Sequence, residues 1–211
     1  YYMDYTDQLV LNGKVNDIGE AMAENVKDSY RMGVELSLGA RITDWLRWDI
    51  NGTWSKNRIK NYTGYVSDYD DNWDELYTQT AIYAGNTPIS FSPSFMGNSL
   101  IGFNYKGFDA SLQSQYVSRQ YLDNTATALR SLPCYSQTNV NMNYTFKKVA
   151  GVKEAVLGLN LYNIFNRHYA AGGWVYNAIG YGMYTTDKPY TQLGYMPMAG
   201  FTMMGTVTLR F

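Results

Sequence analysis

The sequence has little of several things. Its 211 residues hold one cysteine, one histidine and five prolines, and the formal net charge is -1. With Cys134 alone, no disulfide can form within the chain; beside Pro133 it reads as a small buried residue. The balanced charge leaves no broad basic footprint, so nucleic acid is not expected as a partner. His168 cannot by itself build a haem or metal centre, which takes several ligands. The stretch NRHY supplies no nucleophile to make it part of a hydrolase. His168 therefore reads as structural or interfacial, and no cofactor, metal site or enzyme activity is expected. No stretch approaches about 18 consecutive apolar residues, which argues against a membrane-spanning helix but not against a membrane barrel. The chain also lacks an initiating methionine. It opens in mid-alternation with YYMDYTDQL, as expected of a mature or cut piece of a longer protein.

What is abundant is tyrosine, 21 residues of it, which together with the scarcity of proline favours strands. Apolar and polar residues alternate with a period of two in stretch after stretch. In SYRMGVELSLGA, Tyr30, Met32, Val34, Leu36, Leu38 and Ala40 oppose Arg31, Glu35 and Ser37. In WLRWDINGTWSKN, Leu46, Trp48, Ile50 and Trp54 oppose Arg47, Asp49, Asn51 and Thr53. FDASLQSQY and QTNVNMNYTF repeat the pattern, with Leu112, Val140 and Met142 on the apolar side and Asn139 and Asn141 on the other. A helix would need apolar spacings of three and four, and no useful run has them.

The pattern gives about eight long strands, near 1–11, 26–40, 44–59, 94–105, 107–120, 135–147, 154–166 and 199–211. Short and long connections alternate strictly between them. The long ones cover about 12–25, 60–93, 121–133 and 167–198. The fold expected is an all-β, antiparallel, up-and-down barrel with its short turns at one end. A soluble barrel would share the same period. Three features favour a transmembrane one. The strands exceed the usual 5–6 residues of soluble sheets. Aromatic residues bracket aliphatic ones on the apolar faces, as in Trp48, Ile50 and Trp54. Charged residues, Arg31, Glu35, Arg47 and Asp49, stand in the middle of the polar faces, where they can pair across a wet or plugged interior.

The chain ends on a strand, AGFTMMGTVTLRF. Phe201, Val207, Leu209 and Phe211 lie on one face and Met204 is the one misfit. This resembles the terminal signal by which outer-membrane barrels are recognised for assembly. LNLYNIFNRHYAAGGW resembles the penultimate strand of TonB-dependent receptors, whose Asn-Leu-Phe-Asn core and following Tyr are matched by Asn163, Ile164, Phe165, Asn166 and Tyr169. The opening twenty residues, the SYRMGVEL strand, the FSPS element at 91–94 and QYVSRQYLDN at 115–124 are also similar to that family as it occurs in Bacteroidetes-like bacteria. The resemblance covers essentially the whole chain and implies the last third of a 22-stranded barrel, with residues 1–211 as its C-terminal segment and the plug domain absent. It implies the bacterial outer membrane as location and import of a scarce nutrient as function. An iron chelate or a vitamin is favoured, because the final strand lacks the look of the glycan-importing branch. The partners implied are outer-membrane lipid, the barrel-assembly machinery, a nutrient ligand, and the TonB system through the missing plug. The alternative is a self-contained eight-stranded barrel with a structural or adhesive role.

Two long connections hold the candidate binding residues. DYDDNWDE concentrates carboxylates, and Asp68, Asp70 and Asn72 have the spacing of a calcium loop, but Trp73 stands where the sharp turn wants glycine. A solvated outer loop is the expectation. The second connection, AAGGWVYNAIGYGMYTTDKPYTQLGY, is rich in glycine and tyrosine. Ligand contacts are expected from Asp70, Asp71, Trp73, Tyr77, Trp174, Tyr176, Tyr181 and Tyr184. Aromatic packing at a membrane rim is the equal alternative for these rings.

Overall fold

The computed structural model describes residues 1–149, 151–180 and 182–211, with side chains except those of residues 148 and 149. Among them there is no helix. Thirteen strands follow in order: β1 (Tyr2–Val15), β2 (Ala21–Arg41), β3 (Leu46–Tyr69), β4 (Glu75–Pro88), β5 (Phe95–Tyr105), β6 (Phe108–Val117), β7 (Gln120–Tyr121), β8 (Ser131–Leu132), β9 (Tyr135–Val149), β10 (Val152–Tyr162), β11 (Ala170–Gly180), β12 (Tyr190–Pro197) and β13 (Thr202–Arg210). Eight of them make one antiparallel path, β1-β2-β3-β5-β6-β9-β10-β13. These are the eight strands that the alternation predicts. Among the described residues β1 pairs only with β2 and β13 only with β10, so the sheet is open.

Register converts the alternation into two continuous faces. Val34 lies opposite Trp54, Leu38 opposite Ile50, Ile101 opposite Leu112, Leu112 opposite Val140, Met142 opposite Leu159 and Leu157 opposite Val207. Opposed residues share a side of the sheet, so one apolar surface runs from β2 to β13. Val34, Leu36, Ile50, Leu112 and Val207 are all exposed on it. The other face carries Arg31, Glu35, Arg47, Asp49, Asn139 and Asn141. Met204, opposite Asn160, falls there too. Cys134 is exposed rather than buried, because Tyr135 takes the inward position and stacks on Tyr169 at 4.3 Å.

The short connections share one end. Lys106 and Gly107 both have positive φ (48° and 84°), the two-residue turn that suits twisted strands. At the other end the expected long loops are largely strand instead. β3 runs on to Tyr69 and pairs with β4, and β11 pairs with β12. The alternation hides this continuation because it changes phase. Asn61 has φ of 50° and sits in a register shift between Ile59 and Tyr62; Ile59 faces inward with Tyr62 following it three residues later. A bulge of this kind moves every later side chain to the opposite face.

Two segments fold back onto the polar side. Ile89 joins Val10, Val26 and Ile59 in one buried cluster; Phe91 packs on a second, formed by Leu122, Leu132 and Val175. The expected outer loop at 121–133 is therefore an inner strap, closed by β7 and β8. Near the last strand, Asn163 and Asn166 adopt φ of 50° and 47°. The Asn163 amide donates to the carbonyls of Arg167 (2.9 Å) and Ala199 (3.1 Å), and Asn166 Oδ1 accepts from the Phe201 amide at 2.9 Å. Asparagine tolerates that backbone and supplies the bonds, so the two asparagines fasten the entry of β13 to the end of β10.

Candidate functional site

Polar groups on this face bond to one another. Arg47 forks onto Asp49 at 2.7 and 2.8 Å, Asn98 donates to Asn51 at 3.0 Å, and Arg31 donates to Ser92 at 3.2 Å. A hollow of about 790 Å³ opens on this side, lined by Arg31, Glu35, Asn57, Gln115 and Tyr135 among others. Above it the strap is tied in by a buried ion pair, Arg130 to Asp123 at 2.9 Å. Asp123 also accepts from the backbone and hydroxyl of Thr125 (3.1 and 2.6 Å), and Arg130 donates to Thr127 (2.8 Å) and Asn177 (3.3 Å). Asn124 accepts from the Ser90 amide at 2.8 Å and donates to the Leu11 carbonyl at 3.0 Å. Three otherwise separate parts, β1, the strap and β11, are thereby one rigid base.

On that base sits a polar cavity of about 190 Å³, lined by Lys14, Glu24, Tyr62, Gln79, Asp123 and Asn177 among others. The Tyr62 hydroxyl donates to Glu24 at 2.7 Å. Burial, then the Glu24 carboxylate, push the Tyr62 phenol well above its ordinary range, so it stays a neutral donor.

At the tips of the β3–β4 and β11–β12 hairpins five aromatic rings meet. Trp73 lies 5.7 Å from Tyr69, 5.9 Å from Tyr184 and 5.5 Å from Tyr190. Tyr190 lies 5.3 Å from Tyr184 and 6.4 Å from Tyr176. The hairpins are joined by a parallel pairing, Ala178–Gly180 on β11 against Ser67–Tyr69 on β3. Of the expected ligand residues, Trp73, Tyr176 and Tyr184 are brought together here. Asp70 is engaged in the turn itself: its carboxylate accepts from the amides of Asn72 (2.8 Å) and Asp74 (2.9 Å). Asp71 is exposed beside the cluster, while Tyr77 is 90% exposed and stands outside it. Trp174 lies instead across Gly194 on β12. Tyr181 lies outside the described residues. Tyr69 and Tyr190 were not expected; each belongs to a tyrosine-rich stretch, but only the hairpin pairing selects them. Among the described residues no three of His, Cys, Asp or Glu converge as metal ligands would.

Residues 1–164 match the family model described as TonB dependent receptor-like, β-barrel. The structure is similar to the ferric yersiniabactin uptake receptor FyuA from Yersinia pestis, with a TM-score of 0.57 and 14% identity over 100% of this chain and 26% of that one. It is similar to the siderophore receptor PiuA from Acinetobacter baumannii, with a TM-score of 0.57 and 15% identity over 98% and 25% of the two chains. The copper transporter OprC gives a TM-score of 0.57 and 14% identity, over 97% and 27%. The chain thus spans about a quarter of the length of these structures. No curated protein matches the sequence.

Proposed function

The chain belongs to the TonB-dependent receptor β-barrel family, and from that premise we propose that it forms part of an outer-membrane receptor importing a scarce nutrient. Members of this family are transporters rather than enzymes; they bind nutrient ligands and interact with TonB. In this reading the apolar face lies in outer-membrane lipid and the polar face lines the lumen, against a plug domain through which TonB would act. The terminal residues Phe201, Val207, Leu209 and Phe211 present the strand to the barrel-assembly machinery. The open sheet speaks against a self-contained eight-stranded barrel, because unpaired strand edges in hydrocarbon leave backbone groups unsatisfied.

The observation that carries the reading is the cluster of Tyr69, Trp73, Tyr176, Tyr184 and Tyr190 at the hairpin end, above the polar hollow. Such rings offer flat apolar faces with hydrogen-bonding rims, the lining expected of a site for a bulky, partly polar ligand. An iron chelate is favoured over a vitamin or a glycan. The names of two structural relatives, a ferric yersiniabactin uptake receptor and a siderophore receptor, support that preference.

The test uses the intact receptor. Binding of a ferric chelate panel, cobalamin and a linear oligosaccharide is measured for the natural protein and for Trp73→Ala and Tyr190→Ala. We expect chelate binding, weakened about tenfold or more in each variant, the scale of an aromatic hot spot. Folded barrel, read as a heat-resistant band on a gel, should be unchanged. Binding of the oligosaccharide alone would reject the chelate, and full binding by both variants would remove the cluster from the mechanism.

A further inference from the structure

The apolar face ends, towards the long hairpins, in a groove and a pair of cations that nutrient transport does not use. The groove measures about 610 Å³ and crosses five strands, with Leu36, Leu38, Ile50, Trp54, Phe95 and Tyr116 among its walls. Its floor is low because Gly52 and Gly97 face each other in register across β3 and β5. Its upper wall is a chain of rings, Trp54 to Phe95 at 4.8 Å and Phe95 to Tyr116 at 5.9 Å.

Beyond Trp54 the same face of β3 continues with Lys56, Arg58 and Lys60. Lys60 is engaged by Asp4 at 3.0 Å and lies over the Tyr30 ring. Lys56 and Arg58 make no side-chain hydrogen bond or ion pair with any described residue. Their register partners carry no negative charge: Met32 stands opposite Lys56, and Tyr30 and Pro88 flank Arg58. Of the acidic groups nearby, Asp4 stands in the row of Arg58 but two strands away, beyond Tyr30, and is taken up by Lys60 at 3.0 Å; Asp28 lies in the next row of β2. Residues two apart on a strand are about 6.8 Å apart, so two long flexible cationic side chains can close on one anion.

We infer that this is the seat of one phosphate-bearing membrane lipid, its acyl chain in the groove and its phosphate between Lys56 and Arg58. The inference rests on the membrane-barrel reading above. A protein partner fits less well, since it would meet an apolar face that in this reading already lies in hydrocarbon. Charge complementarity and the continuity of groove and cations both select an amphiphile with an anionic head.

The test is native mass spectrometry of the intact receptor in detergent, titrated with dimyristoyl phosphatidic acid, with dimyristoyl glycerol, and with inorganic phosphate. The phosphatidic acid should be retained over the glycerol lipid by about tenfold or more, the scale of two cations at a membrane surface. K56Q/R58Q should abolish that preference. G52L, at a position where an added Cβ comes to 3.4 Å from the Phe95 and Trp54 rings, fills the groove and should lower retention of both lipids. Lys153, on the same face at the short-turn end, provides the control K153Q, which should behave like the natural protein. Each variant is first shown to give a heat-resistant barrel. Equal retention of both lipids, an unaltered K56Q/R58Q, or equally strong binding of inorganic phosphate would overturn the lipid seat. Failure of the natural receptor to insert into membranes at all would instead overturn the barrel reading on which it rests.

Discussion

The hydroxyl of Tyr176 donates to that of Tyr69 across 2.7 Å, although 107 residues separate them in the chain. The bond sits beside the parallel pairing of β3 and β11 and helps hold two hairpins as one tip. Burial, with the Tyr69 partner, raises the Tyr176 phenol well above its ordinary range, so the bond persists at neutral pH. Tyr176→Phe keeps the ring and loses the bond, a change of about 0.5–1.5 kcal/mol. Amide exchange at Ala178, Ile179 and Gly180 should quicken by about threefold to tenfold, with distant strands unaffected. Unaltered exchange at all three would mean that ring packing alone holds the tip.

The ion pair between Arg130 and Asp123 is almost wholly buried, with side-chain exposures of 7% and 6%. Asp123→Asn leaves the guanidinium buried without its counter-charge, which costs about 3–5 kcal/mol in comparable sites. Limited proteolysis of the intact receptor should then cut within 122–132, where the natural protein resists. Joint replacement, Asp123→Leu with Arg130→Met, removes the stranded charge and should recover much of the resistance. Equal sensitivity of single and double variants would show that the pair is not what holds the strap.

Gly13 and Gly19 have nearly the same φ, 85° and 82°, in different surroundings. A Cβ at Gly13 would strike the carbonyl oxygen of Leu122 and come within 2.9 Å of Val175, whereas one at Gly19 meets nothing within 4 Å. Gly19→Ala should therefore cost only backbone strain, roughly 1–2 kcal/mol. Gly13→Ala should cost clearly more, because the strap must also move. Thermal loss of protease resistance at the hairpin end would rank the two. The reverse ranking would contradict the seating of β1 on the strap.

Phe211 is 80% exposed and closes an apolar row with Leu209 and Val207, each exposed as well. It has no side-chain polar group with which to hold a ligand. In the proposed receptor its deletion should lower the amount of heat-resistant barrel in the outer membrane, while the molecules that do assemble bind ligand normally. A folded-fraction gel beside a binding isotherm on one preparation decides the matter. Normal assembly with weakened binding would count against Phe211 as an assembly signal.

The sequence by itself determined the eight-stranded path and its two faces. A period of two needs no tertiary information: each residue's side follows from its neighbour's, as Val34, Leu36 and Leu38 show against Glu35 and Ser37. The asparagines of the Asn163–Asn166 motif were legible only through the family resemblance; the structure adds why they are there, since few residues accept their backbone. Only the tertiary structure decided what happens past Asn61. There a bulge inverts the phase, so the outer part of β3 looks like loop when read in the old register. It also decided that 121–133 turns inward, since Asn177 bonds both Asp123 and Arg130 and Val175 packs on Leu122 and Leu132, all from a strand about fifty positions away. The aromatic cluster fell between these cases. Trp73, Tyr176 and Tyr184 stood out as aromatic residues in long connections, whereas Tyr69 and Tyr190 joined them, and Trp174 and Tyr77 did not, because a parallel pairing of two hairpins sets which rings meet. Long-range register of that kind leaves no periodic trace in either strand alone.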